Sequence, residues 1–426
     1  MVSFSNFKNL SFLVYGLGVT GQSVVRFFKK NKINNYKVWD DKNKNLYRNK
    51  RTLNLNDTLK DVNYIVLSPG VSLSKSKKKL VKYKNKIITD IDLLYLLNRN
   101  FKSIVVTGTN GKSTTCKIIN HLLKNNNIKT LLGGNIGTPV LNLDLKKNIF
   151  LVIEASSYQL AHSKFICPDY AFLLNITNDH LDWHGSMKNY VNSKFKIFEL
   201  QKKNQYSFVN IKFKKKFKQK KFLSKLIIPK KEDYKKLKYK IKNIYIKSNI
   251  NDENMSNVFK FSKLLNISES SFIKSMNTFT GLPHRYEFFL KKKNINFIND
   301  SKATSFQATK FALENTKNIF WILGGLPKKN DKIILKGLRN NIIKSYIIGR
   351  NINFFKNQIK KKIDFNVTKN LKNSIIKALK DIKILKNEKN TVLFSPAAAS
   401  FDQFLNFEMR GNEFKKLSRY YARKYI

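Results

Sequence analysis

The chain has 426 residues, more than one hydrophobic core usually holds, so two or three domains are expected. Hydrophobic residues make up 42% of the sequence and aromatic residues 13%, which excludes a disordered chain. The 83 Lys and Arg residues against 27 Asp and Glu residues give a formal net charge of +56.

This excess of positive charge has two interpretations. A nucleic-acid or other anionic partner would need the cations gathered on one arm or face. Here Lys is spread along the whole chain together with much Asn, Ile and Phe, which is typical of genes rich in A and T. We therefore expect no nucleic-acid partner, and the densest run, 212–221 (KFKKKFKQKK), is interpreted as a solvated loop or helix face.

Cysteine content and hydropathy indicate the compartment. Cys116 and Cys167 are the only cysteines, too few for a disulfide framework or a thiolate metal site, which suits a reducing compartment. No apolar run reaches the ~18 residues that a membrane span needs, and the run at 12–15 is too short for a signal peptide. We expect a soluble cytoplasmic protein with no membrane partner.

Short apolar runs alternate with helical stretches, which indicates βαβ units and parallel sheets. The predicted strands are 12–15, 36–39, 64–67, 104–106, 150–153, 171–174, 320–323, 346–348 and 391–394. Helices are predicted from Ser23 and over 113–123, whereas the Lys-rich residues 200–250 are hard to assign. The predicted fold class is α/β with three domains. These are a Rossmann-like N-terminal domain (1–94), a central P-loop-type ATPase domain with a parallel sheet (95–282) and a C-terminal Rossmann-like domain (283–426).

The stretch VVTGTNGKSTT, residues 105–115, has the composition of a phosphate-binding loop. Gly108 stands closer to Gly111 than in the common pattern, in which four residues separate the two glycines. A strand leads in and a helix leaves, so backbone N–H groups and the helix N-terminus would form an anion site. The side chains offered are the Lys112 ammonium for terminal phosphates and the Ser113 and Thr114 hydroxyls for Mg²⁺. A nucleotide site is favoured over a plain turn with an exposed lysine.

Two polar side chains follow predicted strands of the central domain. Glu154 ends the run IFLVIE, and His180 lies just after AFLLN. Ligands bind at the carboxyl ends of parallel strands, so both residues are candidate metal ligands, against the alternatives of a solvated strand end and a capping histidine. His184, four residues after His180, also suggests zinc, but Leu181 stands where a metalloprotease has its glutamate, and zinc is discounted.

A second glycine loop, GLGVTG at 16–21, lies between a strand and a helix, with Asp40 at the tip of the next strand. The pattern is typical of dinucleotide binding, but any pyrophosphate can use the same turn, and a purely structural turn is the alternative. Two phosphate loops in separate domains indicate two phosphorylated ligands.

Several motifs occur in a characteristic order: TGTNGKST, GGNIG, EASSYQL, NITNDHLDWHGSMKNYVNSK, TFTGLPHRYE, NDSKATS and SPAAASFDQF, followed by FEMRGNEF. They resemble the Mur ligases, which are ATP-dependent amide ligases of peptidoglycan precursor synthesis. The resemblance runs from Gly16 to Phe414 and is strongest to members that add D-glutamate to UDP-N-acetylmuramoyl-L-alanine through an acyl phosphate. It implies a monomeric enzyme that acts on these small molecules and uses ATP and two Mg²⁺ ions.

The resemblance also implies roles for residues at matching positions. ATP would be bound by Gly108, Thr109, Asn110, Gly111, Lys112, Ser113, Thr114, Asn257, Arg285 and Asp300. The metal ligands would be Ser113, Glu154, His180 and a carbamylated Lys194. The UDP substrate would be bound by Gly18, Val19, Thr20, Asp40, Ser68, Pro69, Gly70 and Asn135. D-Glutamate would be bound by Lys302, Thr304, Lys328, Ser400 and Phe407. The catalytic residues would be Lys112, His180, Lys194, Arg285 and Lys302.

The sequence departs from the family pattern at a few positions. Glu253 stands where the family has a histidine, Ser305 replaces a usual Asn, and Leu326-Pro327 leaves Lys329 as an alternative to Lys328. A sister ligase with another amino acid and a folylpolyglutamate synthase are rival interpretations, but SPAAASFDQF and the N-terminal glycine loop favour the D-glutamate ligases. An NAD-dependent oxidoreductase leaves Lys112 unexplained, and a nucleic-acid-binding ATPase would need the dispersed charge to act together.

Overall fold

The computed structural model describes residues 4–43, 45–73, 78–97, 101–145, 147–243, 245–248, 251–328, 331–385 and 389–426. Three sheets, built almost entirely of parallel strands, confirm the predicted α/β class. The strands are β1 Phe12–Tyr15, β2 Tyr36–Trp39, β3 Tyr64–Leu67, β4 Ile87–Ile88, β5 Phe101–Thr107, β6 Thr130–Gly134, β7 Ile149–Glu154, β8 Tyr170–Leu173, β9 Tyr206–Val209, β10 Lys225–Ile227, β11 Glu287–Lys292, β12 Ile295–Asn299, β13 Ile319–Gly324, β14 Ile342–Ile348, β15 Phe365–Lys369 and β16 Asn390–Phe394.

Helices connect the strands. They span Phe4–Asn9, Val19–Lys30, Leu55–Asp61, Lys78–Lys82, Asp90–Leu96, Lys112–Asn125, Ser157–His162, Leu181–His184, Met187–Phe195, Lys214–Gln219, Lys231–Lys238, Asp252–Leu264, Glu269–Asn277, Phe306–Glu314, Ile352–Ile359, Leu371–Ile384 and Phe407–Tyr425. No helix within the described residues is long and apolar enough to cross a membrane.

The first two sheets are entirely parallel. Their strand orders are β2-β1-β3-β4 and β10-β9-β8-β5-β7-β6. The predicted strands at 12–15, 36–39 and 64–67 match the observed ones residue for residue. All four residues of β1 are buried, as expected for a strand with both faces covered.

The described part of the Lys-rich segment 200–250, which the sequence left unassigned, forms helices and strands. β9 and β10 extend the central sheet by two strands, and the run 212–221 includes the helix Lys214–Gln219. Phe217 is buried on this helix, with its ring centroid 5.1 Å from that of Phe198, while most of the surrounding lysines are exposed. The charged run is therefore a solvated helix face anchored by one aromatic side chain.

The third sheet has the order β11-β12-β16-β13-β14-β15. Its outer pair β11–β12 is antiparallel, and the other neighbours are parallel. Helices cover both faces, with one core around Trp321 and another around Phe394. The carboxyl ends of β12, β13 and β16 therefore open onto one edge, where the predicted amino-acid site lies.

The chain divides into two compact units, Met1–Phe279 and Thr280–Ile426. The first unit holds two sheets, and the helix Asp90–Leu96 runs through the predicted boundary at 94 and joins them. The buried Asp92 carboxylate accepts hydrogen bonds from the Ser163 hydroxyl and from the Phe165 N–H, the latter at 2.8 Å. The limits of the three predicted domains stay predictions.

Candidate active site

The phosphate loop of the central sheet is held open by a glycine. Gly111 has φ +85° and precedes the helix Lys112–Asn125, whose N-terminus has no side-chain cap. A Cβ at Gly111 would stand 2.3 Å from Asn254 Oδ1, so both the backbone conformation and the close approach require glycine. The uncapped N–H groups are thus available to an anion, as the sequence predicts.

A second loop, after β8, fixes the phosphate loop from its other side. The Thr109 N–H donates to Asn175 O at 2.8 Å, and the Asn110 N–H donates to Asn175 Oδ1 at 2.8 Å. The Thr109 hydroxyl lies 3.0 Å from the hydroxyl of Tyr190. These hydrogen bonds within the chain therefore hold the phosphate loop in its conformation.

Two lysines converge on one carbonyl of this loop. Lys112 Nζ donates to Gly108 O at 2.9 Å, and Lys194 Nζ donates to the same oxygen at 2.8 Å. Lys194 is 1% exposed, and its Nζ lies 4.6 Å from the centre of the Tyr190 ring. Burial, together with the charge of Lys112, lowers the pKa of Lys194 to about 7. This lysine therefore carries a substantial neutral, nucleophilic fraction near neutral pH.

Glu154 ends β7 beside the loop and is 2% exposed. Its Oε1 accepts a hydrogen bond from Asn135 Nδ2 at 3.0 Å. Its Oε2 is buried and has no hydrogen-bond partner in the described part of the chain. A buried carboxylate oxygen without a donor is costly unless a cation binds it, so this atom fits a hard metal ion.

His180 occupies a strained position beside the same loops. It has φ +52° and starts the short helix Leu181–His184, with its ring centre 4.9 Å from that of Tyr158. The side chain is 43% exposed, and its Nε2 lies 3.4 Å from Asp179 Oδ2. Among the described residues no three His, Cys, Asp or Glu side chains form a group that could hold a metal. A metal site here therefore needs the hydroxyls, water or a modified Lys194 to complete it.

His184 has a different role from that of a zinc partner. Its ring is buried, stacks on Tyr158 with centroids 5.8 Å apart, and accepts or donates a 3.0 Å hydrogen bond with the Ser157 hydroxyl. Burial, with the nearby charge of Lys194, lowers its pKa to about 4. It is a neutral packing histidine that sequence reasoning considered only as a metal ligand.

The helix Asp252–Leu264 carries the predicted adenine contact. Asn257 Nδ2 donates to Glu253 O at 2.8 Å, whereas its Oδ1 is buried and lacks a partner within the described residues. Glu253, which departs from the family pattern, accepts a 2.6 Å hydrogen bond from Asn210. The Glu253 side chain therefore makes a hydrogen bond within this unit, and the Asn257 amide oxygen is open to a donor.

The N-terminal glycine loop is shaped by Asp40. Its carboxylate accepts hydrogen bonds from the N–H groups of Leu17 at 2.6 Å, Asn43 at 2.7 Å and Lys42 at 2.8 Å. Burial acts to raise the pKa of Asp40, but these donors outweigh it and the pKa is lowered. Asp40 thus fixes the loop from within, and a direct contact with a ligand stays a prediction.

Neighbouring positions complete this loop. The Ser68 hydroxyl donates to Gly16 O at 2.7 Å, and a Cβ at Gly21 would stand 1.8 Å from the same oxygen. Gly18 precedes the helix Val19–Lys30, which has no side-chain cap, and Val19 is 72% exposed. Thr20, Pro69 and Gly70 lie along the same open edge as partly or fully exposed residues. The helix N-terminus is therefore open to a pyrophosphate.

The second unit brings Arg285 and Asp300 together. Asp300 accepts hydrogen bonds from the Tyr286 N–H at 3.0 Å and the Ser395 hydroxyl at 2.7 Å. Burial raises its pKa to about 7, although these donors and the Arg285 charge act in the opposite direction. Arg285 Nε is buried and has no hydrogen-bond partner in the described part of the chain.

The predicted amino-acid residues lie on three loops of this unit. Phe407 instead begins the helix Phe407–Tyr425, and Lys302 Nζ stands 4.6 Å from the centre of its ring, which links one loop to this helix. Ser400 is buried, Thr304 is half-buried and Lys328 is exposed. Lys329, the alternative to Lys328, lies outside the described residues.

Comparison with known protein families shows which families have sequences similar to this chain. Residues 106–277 match the model of the Mur ligase middle domain, and residues 10–89 match that of the Mur ligase MurD-like, N-terminal domain. The curated relatives include UDP-N-acetylmuramoylalanine–D-glutamate ligases from Rickettsia prowazekii and Buchnera aphidicola. They are 35% and 36% identical to this chain, cover 97% of it in both cases, and are themselves covered over 98% and 99%.

Solved structures share the fold. A MurF ligase from Thermotoga maritima in complex with ADP is 16% identical, with a TM-score of 0.57 over 99% of this chain and 98% of its own. A UDP-N-acetylmuramate–alanine ligase, MurC, from the same organism is 15% identical, with a TM-score of 0.57 over 97% of this chain and all of its own. A phosphate loop on a parallel sheet, followed by a further α/β unit, defines a nucleotide-binding α/β protein. With relatives this similar over nearly the whole chain, the protein belongs to the Mur ligase family.

Proposed function

We propose that this chain joins D-glutamate to UDP-N-acetylmuramoyl-L-alanine at the expense of ATP, in peptidoglycan precursor synthesis and hence in cell-wall growth, cell shape and division. The observation that carries the proposal is 34–36% identity, over 95–97% of the chain, to relatives that bear this activity in their names. The reaction would take place in the cytoplasm, by a monomer, on small molecules, without a nucleic acid.

The chemistry starts with the carboxylate of the alanyl substrate, which is a poor acyl donor because its leaving group would be oxide. Transfer of the γ-phosphoryl group of ATP to that carboxylate forms an acyl phosphate and ADP. The amine of D-glutamate then attacks the acyl carbon, phosphate leaves, and one proton is released as the amide forms. Neither step needs a nucleophilic side chain, because positioning and charge neutralisation supply most of the catalysis.

The central residues suit the phosphoryl transfer. The N–H groups of the loop 108–111 and the helix that begins at Lys112 would hold the phosphates, and Lys112 would neutralise developing charge. Ser113 and Glu154 would hold Mg²⁺, since Glu154 Oε2 is buried without a donor among the described residues. Bound Mg²⁺ supplies further neutralisation of the phosphate oxygens.

Lys194 is proposed to act as a carbamate. Its neutral amine can add to CO₂ with loss of one proton, which replaces a buried cation by an anion. The anion would lie beside Lys112, and with His180 it would complete the ligand set for a second Mg²⁺. This modification would explain why the family pattern keeps a lysine where a metal ligand is needed.

The second unit supplies the remaining proposed contacts. Arg285, whose Nε lacks a described partner, is proposed to meet the ATP phosphates, and Asp300 to meet the ribose. D-Glutamate is proposed to bind where Lys302 lies against Phe407, with Lys328 and Ser400 from the neighbouring loops. In the first unit, the loop from Gly18 to Thr20 would hold the UDP pyrophosphate.

Phosphate release tests the proposal. The protein is mixed with ATP, Mg²⁺, bicarbonate and UDP-N-acetylmuramoyl-L-alanine, and each of several amino acids is added in turn, including both enantiomers of glutamate. D-Glutamate should give the fastest release and a new amide product by mass spectrometry. Release with D-glutamate no faster than with water alone would refute the assignment.

A further inference from the structure

Arg410 is a buried cation in the motif FEMRGNEF that the proposed mechanism does not use. It lies in the first turn of the helix Phe407–Tyr425 and is 1% exposed. Within the described residues no carboxylate lies within ion-pair distance of its guanidinium. The charge of Asp402 acts on the guanidinium only from beyond ion-pair distance. A buried cation without a direct ion pair lowers stability, so its presence calls for another reason.

The guanidinium joins the loops that carry the predicted amino-acid site. Arg410 Nε donates to Ser301 Oγ at 3.1 Å, and Nη2 donates to Ser301 O at 2.8 Å and to Ala398 O at 2.9 Å. Ser301 stands immediately before Lys302, and Ala398 stands two residues before Ser400. One side chain therefore fixes the backbone of two separate substrate loops.

Two further segments meet at the same side chain. The Ser301 hydroxyl, which accepts from Arg410, donates to Phe407 O at 2.9 Å and so links the start of the helix. A Cβ at Gly325 would stand 3.2 Å from Arg410 Nη1, so the turn that leads to Lys328 packs against the guanidinium. Nη1 is itself buried and has no hydrogen-bond partner in the described part of the chain.

We propose that Arg410 is a positioning and specificity residue for the acceptor amino acid. It holds the Lys302, Ser400, Phe407 and Lys328 segments in one arrangement, and its positive charge, which makes no ion pair among the described residues, favours an acceptor with two carboxylates. The inference rests on the proposed function. Arginine suits this role because its planar fork donates in several fixed directions, whereas lysine or methionine of similar length cannot. Burial lowers the pKa of Arg410 to about 10, which leaves the side chain cationic at neutral pH.

Steady-state kinetics of Arg410→Met, Arg410→Lys and Ser301→Ala test this assignment, with KM measured separately for D-glutamate, ATP and the UDP substrate. Loss of a hydrogen bond to a charged group should raise KM for D-glutamate by about tenfold or more in Arg410→Met. Arg410→Lys should recover part of this loss because it keeps the charge. The KM values for ATP and the UDP substrate should stay within about twofold of wild type.

Arg419→Met is the matched control. Arg419 is an exposed residue of the same helix, with its guanidinium 5.6 Å from the Phe289 ring centre, and its loss should leave all three KM values unchanged. Ser301→Ala removes only the hydroxyl between Arg410 and Phe407. If Arg410→Met does not fold, the KM values of Ser301→Ala therefore test whether Arg410 positions the amino-acid site.

Two results would overturn the assignment. Either KM for D-glutamate is unchanged in every folded Arg410 and Ser301 variant, or all three KM values rise together while kcat follows the folded fraction measured by circular dichroism. The proposed function is tested separately by the wild-type protein. If the wild type shows no D-glutamate-dependent phosphate release, the function fails before any variant is compared.

Discussion

Replacement of Lys194 tests the most specific chemical feature of the central site. With a pKa of about 7, about half of this amine is neutral at pH 7. A lysine with the ordinary value of 10.5 would be neutral in only about 0.03% of molecules at that pH. The nucleophilic form is thus enriched about a thousandfold at Lys194, and this is the lysine that we expect to react with CO₂.

Carbon-13 NMR with labelled bicarbonate measures the product directly. At a fixed concentration of dissolved CO₂, the wild-type protein should give a carbamate resonance of Lys194, distinct from any signal of the terminal α-amino group, whose intensity rises from pH 6 to pH 8. Lys194→Met should lack it and should lose D-glutamate-dependent turnover. Lys188→Met, an exposed change on the same helix Met187–Phe195, should keep both.

The reasoning would be refuted by carbamate resonances that are the same in the wild type and in Lys194→Met, or by full turnover of the wild type in buffer from which CO₂ has been removed. Partial recovery of Lys194→Ala by an added short-chain carboxylic acid would support an anionic role for the side chain. Recovery by a short-chain amine instead would assign the role to the unmodified lysine.

The free energy of unfolding gives an independent measure of the burial of Lys194. The pKa in the folded state is below that in the unfolded chain, so the unfolded chain binds the extra proton between about pH 7 and about pH 10. Without CO₂, the contribution of Lys194 to the free energy of unfolding should therefore rise with pH across this window. Below pH 7 the buried, protonated Lys194 lowers the free energy of unfolding by its full amount. This amount is at most about 5 kcal/mol for a pKa lowered from 10.5 to about 7. Lys194→Met should remove this pH dependence from urea unfolding curves, while it loses the hydrogen bond to Gly108 O.

Three further predictions concern the phosphate loop, the metal site and the second unit. Lys112→Met should lower phosphate release by at least about a thousandfold with an unchanged circular dichroism spectrum, and near-normal release would contradict the proposed role. Glu154→Gln keeps an acceptor for Asn135 but removes the charge, so a Mg²⁺ titration of activity should shift to about tenfold higher concentration, and an unshifted curve would exclude Glu154 as a ligand. Asp300 has a pKa of about 7 in the folded state and 3.8 as its ordinary value, so its contribution to stability is complete below about pH 4 and is lost as pH rises to about 7. Asp300→Asn should therefore flatten the urea unfolding free energy between these limits, and an unaltered slope would show that the carboxyl is not buried as described.

The sequence predicts the strands that are buried on both faces most reliably. Runs such as FLVY and YIVL consist of apolar residues alone, and they form β1 and β3 at the predicted positions. Of the strands that the sequence did not predict, β9 and β12 lie inside their sheets, whereas β10 and β11 lie at sheet edges and carry a different signal. β10 is the three-residue segment KLI, and β11 reads EFFLKK at the antiparallel edge of its sheet, where lysines can face solvent. Edge strands need no continuous apolar run, so composition alone does not reveal them.

The site residues divide in a similar way into those that the local sequence reveals and those whose role depends on residues distant in the chain. Glycine spacing locates the two glycine loops that we propose bind phosphates, and Gly111 in one of them has a positive φ that favours glycine. Nothing in the local sequence of Lys194 indicates its lowered pKa, since the cause is burial beside Lys112, which is 82 residues earlier in the chain. Arg410 likewise has no local signal, because its partners Ser301 and Ala398 come from two separate loops.

The motifs also mark loops whose shape is fixed by hydrogen bonds within the chain. The Asp40 carboxylate is occupied by three backbone N–H groups, Asn135 is bound to Glu154, and Asp300 holds the Tyr286 N–H and the Ser395 hydroxyl. The family pattern associates each of these residues with a ligand. In this structure each of them makes hydrogen bonds that fix the conformation of its own loop. Loops that are already held in place lose little conformational entropy when a substrate binds. This would favour substrate binding at a site that must exclude water around an acyl phosphate. It follows that substitutions at these three positions should alter the affinity for substrates through loop order as well as through lost contacts.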